Sequence, residues 1–151
     1  MVIVCRENQS TCDPLIIPRN PVDSLNESNF VVSSEWHTID AHQSGYSVTK
    51  ANEYTVYGIL VIKNQVRFLI ADDNSEPGFF PECLFSIKEH TLPLDWEINK
   101  YCVDCGTILC IGYPELCREY GSLVRILERH CSAIEDFLEY KECITSLILE
   151  R

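Results

Sequence analysis

Cations are scarce in this chain: 12 Lys and Arg stand against 23 Asp and Glu, a formal net charge of -11. A field of that sign repels phosphate backbones, so direct nucleic-acid binding is not expected. The same field attracts basic partners, although acidity on its own also serves solubility. No apolar run approaches the roughly 20 residues that a membrane helix needs, so no membrane partner is expected either. The start, Met1-Val2-Ile3-Val4-Cys5-Arg6-Glu7, has a short apolar stretch with no basic region before it and no cleavage-like end. With no secretory signal, the expected compartment is the cytoplasm, where thiols stay reduced. Internal repeats and low-complexity tracts are also missing. So are a Gly-rich phosphate loop, a Gly-x-Ser-x-Gly elbow and a His-Glu-x-x-His helix. The expectation is a binding protein without a cofactor, not an enzyme.

What is present suits one globular domain. At 151 residues, with 46% hydrophobic and 23% charged, the chain can bury a core but is too short for two comfortable domains. Divided at Lys50 and Lys100, the acidic counts are 6, 8 and 9 and the basic counts 3, 4 and 5, so the excess is no acidic tail. Nine cysteines, an odd number at irregular spacing, argue against a disulfide framework.

Read along its length, the single domain 1–151 has an irregular arm at 1–30, a mainly β region at 30–111 and a helical end at 113–151. In the arm, Val2 to Val4 makes a short strand, and Asp13-Pro14, Ile17-Pro18 and Asn20-Pro21 then forbid a helix or a central strand. Phe30 to Ile39 reads as a strand with a break near Ser33-Ser34, and 45–49 as a weaker one. The run Tyr54-Thr55-Val56-Tyr57-Gly58-Ile59-Leu60-Val61-Ile62 is one strong strand. It turns at Lys63-Asn64-Gln65 into Val66-Arg67-Phe68-Leu69-Ile70-Ala71. An acidic loop follows, then extended Phe79-Phe80-Pro81 and a strand from Leu84 to Lys88. Pro114 opens a helix whose apolar face is Leu116, Tyr120, Leu123, Val124 and Leu127, with Gly121-Ser122 a point of interruption. Ser132-Ala133-Ile134-Glu135 has the form of a capping box for a second helix, striped by Phe137, Tyr140, Ile144, Leu147 and Ile148. The expected fold is α+β: a small curled antiparallel sheet or SH3-like barrel with two C-terminal helices.

Three groups of residues bear on chemistry. Cys102-Val103-Asp104-Cys105-Gly106, with Cys110 and Cys117 beyond, resembles one knuckle of a zinc ribbon. A ribbon needs a second such pair, which is missing, so small buried reduced thiols are the competing reading. Cys102, Cys105, Cys110 and Cys117 are the ligand set of that alternative, a zinc-binding adaptor. His37 and His42 flank Asp40, but their odd offset puts them on opposite faces of a strand. The loop Asp72-Asp73-Asn74-Ser75-Glu76 lacks the ligand alternation of a calcium loop. It is either a solvated hairpin end or an anionic surface for a basic partner.

The segment 52–96 carries Tyr54-Thr55-Val56-Tyr57-Gly58-Ile59, an acidic strand end at Asp72-Asp73, Phe80-Pro81-Glu82-Cys83-Leu84-Phe85, and Trp96. This pattern resembles a group of small bacterial proteins encoded beside polymorphic or contact-dependent toxins, their immunity proteins. The resemblance covers under a third of the chain, and the cysteine-rich stretch after Trp96 lies outside it. It implies a protein that neutralises a cognate toxin, a nuclease among the possibilities, by covering its basic active-site surface. Asp72, Asp73, Glu76, Phe79 and Glu82 are then the expected partner-binding residues.

Overall fold

A computed structural model describes residues 1–8, 15–18, 30–31, 36–39, 45–63, 65–103 and 106–150, with side chains described at these positions except from 9 to 44 and at 103. The fold is α+β. Five antiparallel strands form the large sheet in the order β10 (Glu97–Val103), β11 (Gly106–Gly112), β6 (Gly58–Ile62), β7 (Gln65–Ala71), β8 (Pro77–Pro81). Two residues, β3 (Phe30–Val31), lie parallel to β10 at its edge. A second sheet places β1 (Val2–Cys5) between β5 (Glu53–Thr55) and β9 (Phe85–Glu89). A two-stranded ladder joins β2 (Leu15–Pro18) to β4 (Trp36–Ile39). Among the described residues the expected arm thus contains two strands, one of them central to a sheet. The prolines that punctuate it are compatible with β2, which among the described residues pairs on one side only.

Both faces of the large sheet are covered. On one, Leu60, Ile62, Leu69, Phe79, Ile108 and Cys110 meet the helices. On the other, Phe68, Ile70 and Phe80 meet Ile3, Cys5 and Phe85 of the small sheet and its turn. β7 is the strand buried from both sides, which accounts for its nearly continuous apolar run from Phe68 to Ile70.

The strong strand expected from Tyr54 to Ile62 is in fact two strands in different sheets. Val56 N–H donates to Met1 O, and Tyr57 N–H donates to Leu69 O. The chain therefore passes from β1 to β7 between adjacent residues, and Val56 and Tyr57 enter opposite cores. The barrel alternative is not formed: among the described residues β8 leaves the large sheet with an open edge, and β5 and β9 bound the small one. Pro77 and Pro81 bracket β8, and neither offers an N–H to a further strand.

Three helices, not two, follow β11: α1 (Pro114–Cys117), α2 (Tyr120–Leu127) and α3 (Cys131–Leu149). The first expected helix breaks at Arg118-Glu119, before Gly121. Glu119 is extended, and Tyr120 packs edge-on against Tyr101 at 5.1 Å. Leu116 of α1 seats in a dent made by Gly58 and Gly112, which face each other across β6 and β11. The expected capping box is not used. Ser132 Oγ lies 3.0 Å from His130 Nδ1, and no side chain caps α3. Among the described residues no helix is long and apolar enough to cross a membrane.

Candidate functional site

The turn after β7 is built by Asp72. Its Oδ1 accepts from the N–H groups of Asn74 at 2.8 Å and Glu76 at 3.0 Å. Its own N–H donates to Glu76 O, and its carbonyl accepts from Ser75 N–H. Ser75 takes the left-handed conformation, φ 62°, that so tight a return demands. The carboxylate is thus oriented by the backbone, and its Oδ2 accepts no hydrogen bond among the described residues.

Asp73 has a different task. Its Oδ1 accepts from Tyr54 Oη at 2.6 Å and its Oδ2 from Thr49 Oγ1 at 2.7 Å, while its N–H donates to Ser47 O. Burial, then the hydrogen bond to this carboxylate, raises the Tyr54 phenol above its ordinary range. Asp73 pins the segment before β5 to the end of β7, so it serves the fold.

Glu76 pairs with Arg129 Nη1, 53 residues further on. Arg129 follows α2 in the left-handed region, φ 56°, a position where glycine is favoured. Both side chains are more than half exposed, so the pair itself contributes little stability. Its effect is local: it holds the guanidinium at the rim.

These groups surround a cleft of about 180 Å³ at the free edge of β8. Tyr46 and Phe80 supply its aromatic side, with ring centroids 5.7 Å apart, and Asp72 and Arg129 its charged side. Gly78 also lines it. A Cβ there would stand 2.8 Å from the Phe80 ring, so glycine lets that ring lie against the strand.

The five expected partner-binding residues are only partly brought together. Asp72, Asp73 and Glu76 share one end of β8, with Asp73 committed to Tyr54. Phe79 also lines the cleft, but it is 6% exposed and packs mainly under the helices. Phe80 also faces a core. Glu82 is exposed but lies past the far end of β8, about 17 Å of strand from the acidic turn. Tyr46, Gly78 and Arg129 went unread in the sequence. Proximity across 53 residues leaves no local pattern, and an arginine in a left-handed turn carries no composition signal.

The zinc alternative loses its convergence. Cys110 pairs with Asn99 and Cys102 with Thr107, three residues along β10, so Cys102 and Cys110 point to opposite faces. Cys105 lies outside the described residues, as do Asp40 and His42. Among the described residues of the set, Cys110 and Cys117 meet, with Sγ atoms 3.9 Å apart. Among the described residues no group of three His, Cys, Asp or Glu side chains is arranged to hold a metal ion.

Comparison with protein families, with curated proteins and with solved structures gives no match for this chain.

Proposed function

We propose that the chain is an immunity protein, which binds a cognate toxin in the cytoplasm and covers its basic active surface without performing chemistry. A nuclease is the fitting type of toxin, because a surface that holds phosphates must itself be basic. The observation that carries this reading is the cleft beside the acidic turn. A backbone-oriented Asp72 carboxylate and two aromatic rings stand together at a strand end, on a chain of net charge -11.

That combination suits a lysine or arginine side chain from the partner. Its stem lies along the partly exposed Tyr46 ring, which the buried Phe80 ring backs from the core, and its charge reaches Asp72 Oδ2. Arg129 does not oppose this, since Glu76 already balances its charge. Strand-end loops on a rigid sheet are common places for such recognition, because the sheet fixes the geometry while the loop sequence varies. The excess acidity would then speed encounter with a basic surface.

The test is co-expression with the toxin domain encoded beside this gene. The expected result is restored growth with the full chain and none with an unrelated acidic protein of similar size. Unchanged toxicity with well-expressed, folded chain would refute the reading.

A further inference from the structure

Beneath the helices, Cys110 of β11, which β6 and β7 separate from β8 in the large sheet, faces Cys117 at the end of α1. Both are almost wholly buried, at 0% and 2% exposure, and both are free thiols. Cys117 Sγ lies 3.9 Å from Cys110 Sγ and 3.5 Å from the carbonyl oxygens of Cys110 and Glu97. Among the described residues no metal-binding group includes them, and partner binding at Asp72 makes no use of them.

We propose that Cys110 and Cys117 form an oxidation site: a reversible disulfide that clamps α1 onto the large sheet when the protein meets a peroxide. The sulfurs are already in van der Waals contact, and they must close from 3.9 Å to a bond length of about 2 Å. Their shared hydrogen bond splits their acidities, raising the Cys110 thiol and, despite burial, lowering that of Cys117. Cys117, at the end of the four-residue α1, is also the less deeply buried of the two, so it is the nucleophile that meets the peroxide and Cys110 is the resolving thiol.

The balance is simple. The Cys117 thiol gives up its proton, the thiolate attacks one oxygen of hydrogen peroxide and the O–O bond breaks; a sulfenic acid forms, and the departing hydroxide takes up that proton as one water. Cys110 sulfur then attacks Cys117 sulfur. The S–S bond forms, the S–O bond breaks, and the thiol proton leaves with hydroxide as the second water. Two thiols lose two electrons in all, and one peroxide gains them. The new bond closes a short loop from β11 through Tyr113 into α1, restricting the unfolded chain more than the folded one.

Peptide mapping tests this directly. Trypsin leaves Cys102, Cys105, Cys110 and Cys117 on one peptide, between Lys100 and Arg118, and cleavage after Glu115 separates Cys117 from the other three. The purified Cys102→Ser/Cys105→Ser chain is treated with hydrogen peroxide, denatured, alkylated and digested. The two fragments flanking Glu115 should stay joined until a reductant is added, and the joined protein should melt several degrees higher than the reduced one. Wild-type chain should yield the same joined fragments, and Cys110→Ser should yield none. Thiols that remain fully alkylatable after peroxide, or a joined protein that melts no higher, would overturn the proposal.

Discussion

At the scale of single residues, adjacent carboxylates do unlike work. Asp72 and Asp73 look equivalent in sequence, but Asp72 shapes a turn and presents an oxygen, whereas Asp73 is consumed by Tyr54 and Thr49. Asp73→Ala would leave the Tyr54 hydroxyl without its acceptor, at a cost of about 1–3 kcal/mol in denaturant unfolding. Asp72→Asn keeps an amide oxygen for the Asn74 and Glu76 N–H groups, so it removes charge while sparing the turn. Equal destabilisation by the two substitutions would contradict this division.

Gly112 gives a second residue-scale prediction. A Cβ at that position would lie 2.9 Å from both Tyr57 O and the Leu116 Cδ2, and 3.0 Å from Gly58 Cα. Two of those neighbours are backbone and cannot step aside. Gly112→Ala should therefore cost about 1–3 kcal/mol, read as a lower unfolding midpoint. The sequence marks Gly58 as part of a motif but not its opposite number Gly112. The reason for both is one leucine arriving from α1, a contact that no local pattern encodes.

Among the elements, much of the β region was legible because β-branched and aromatic runs declare strands. The partner strands β6 and β7 fall where residue preferences put them, although Gln65 joins β7, β8 takes in Pro77-Gly78 from the expected loop, and β9 starts at Phe85, one residue after Leu84. The division between β5 and β6 was not legible, because Val56 and Tyr57 suit either sheet and only their partners Met1 and Leu69 separate them. Likewise the stop at Arg118-Glu119 reflects the packing of Tyr120 on Tyr101, which overrides helical preference. Of the candidate site, the acidic turn was readable and its other walls were not. Phe79, expected as an anchor, alternates inward because β8 has cores on both sides.

The layering predicts where truncation hurts. Phe137→Ala removes the fully buried centre of α3 and Phe68→Ala removes a ring between the sheets, so each should cost about 3–5 kcal/mol. The α3 stripe read from the sequence extends further, to Leu147 and Ile148, yet these are 53% and 59% exposed. Their replacement by Ala should cost under about 0.5 kcal/mol each. Chemical denaturation of the four variants separates the two classes. A large loss at Leu147 or Ile148 would place the end of α3 against the body.

For the molecule as a whole, burial governs the alkaline limit of stability. Tyr54, Tyr57, Tyr101, Tyr113 and Tyr140 all have phenols raised above their ordinary value, and desolvation is the leading cause in each. A raised value means that the folded state keeps its proton after the unfolded chain has lost it. The contribution is thus complete below pH about 10 and declines as pH rises beyond it. Unfolding followed by circular dichroism should begin above that pH, together with phenolate absorbance. Phenolate appearing well before any loss of structure would mean that these rings are accessible.

Binding is also a property of the whole molecule, since a net charge of -11 acts at a distance that a single carboxylate does not. The decisive measurement is the association rate with the neighbouring toxin domain, followed across a salt series for wild type and for Asp72→Asn/Glu76→Gln. Wild type should associate fast at low salt and slow down steeply as salt is added. The double variant, folded and equally pure, should associate more slowly and with a shallower salt dependence. The same rate and the same slope in both proteins would contradict a partner-binding role for the cleft at the end of β8.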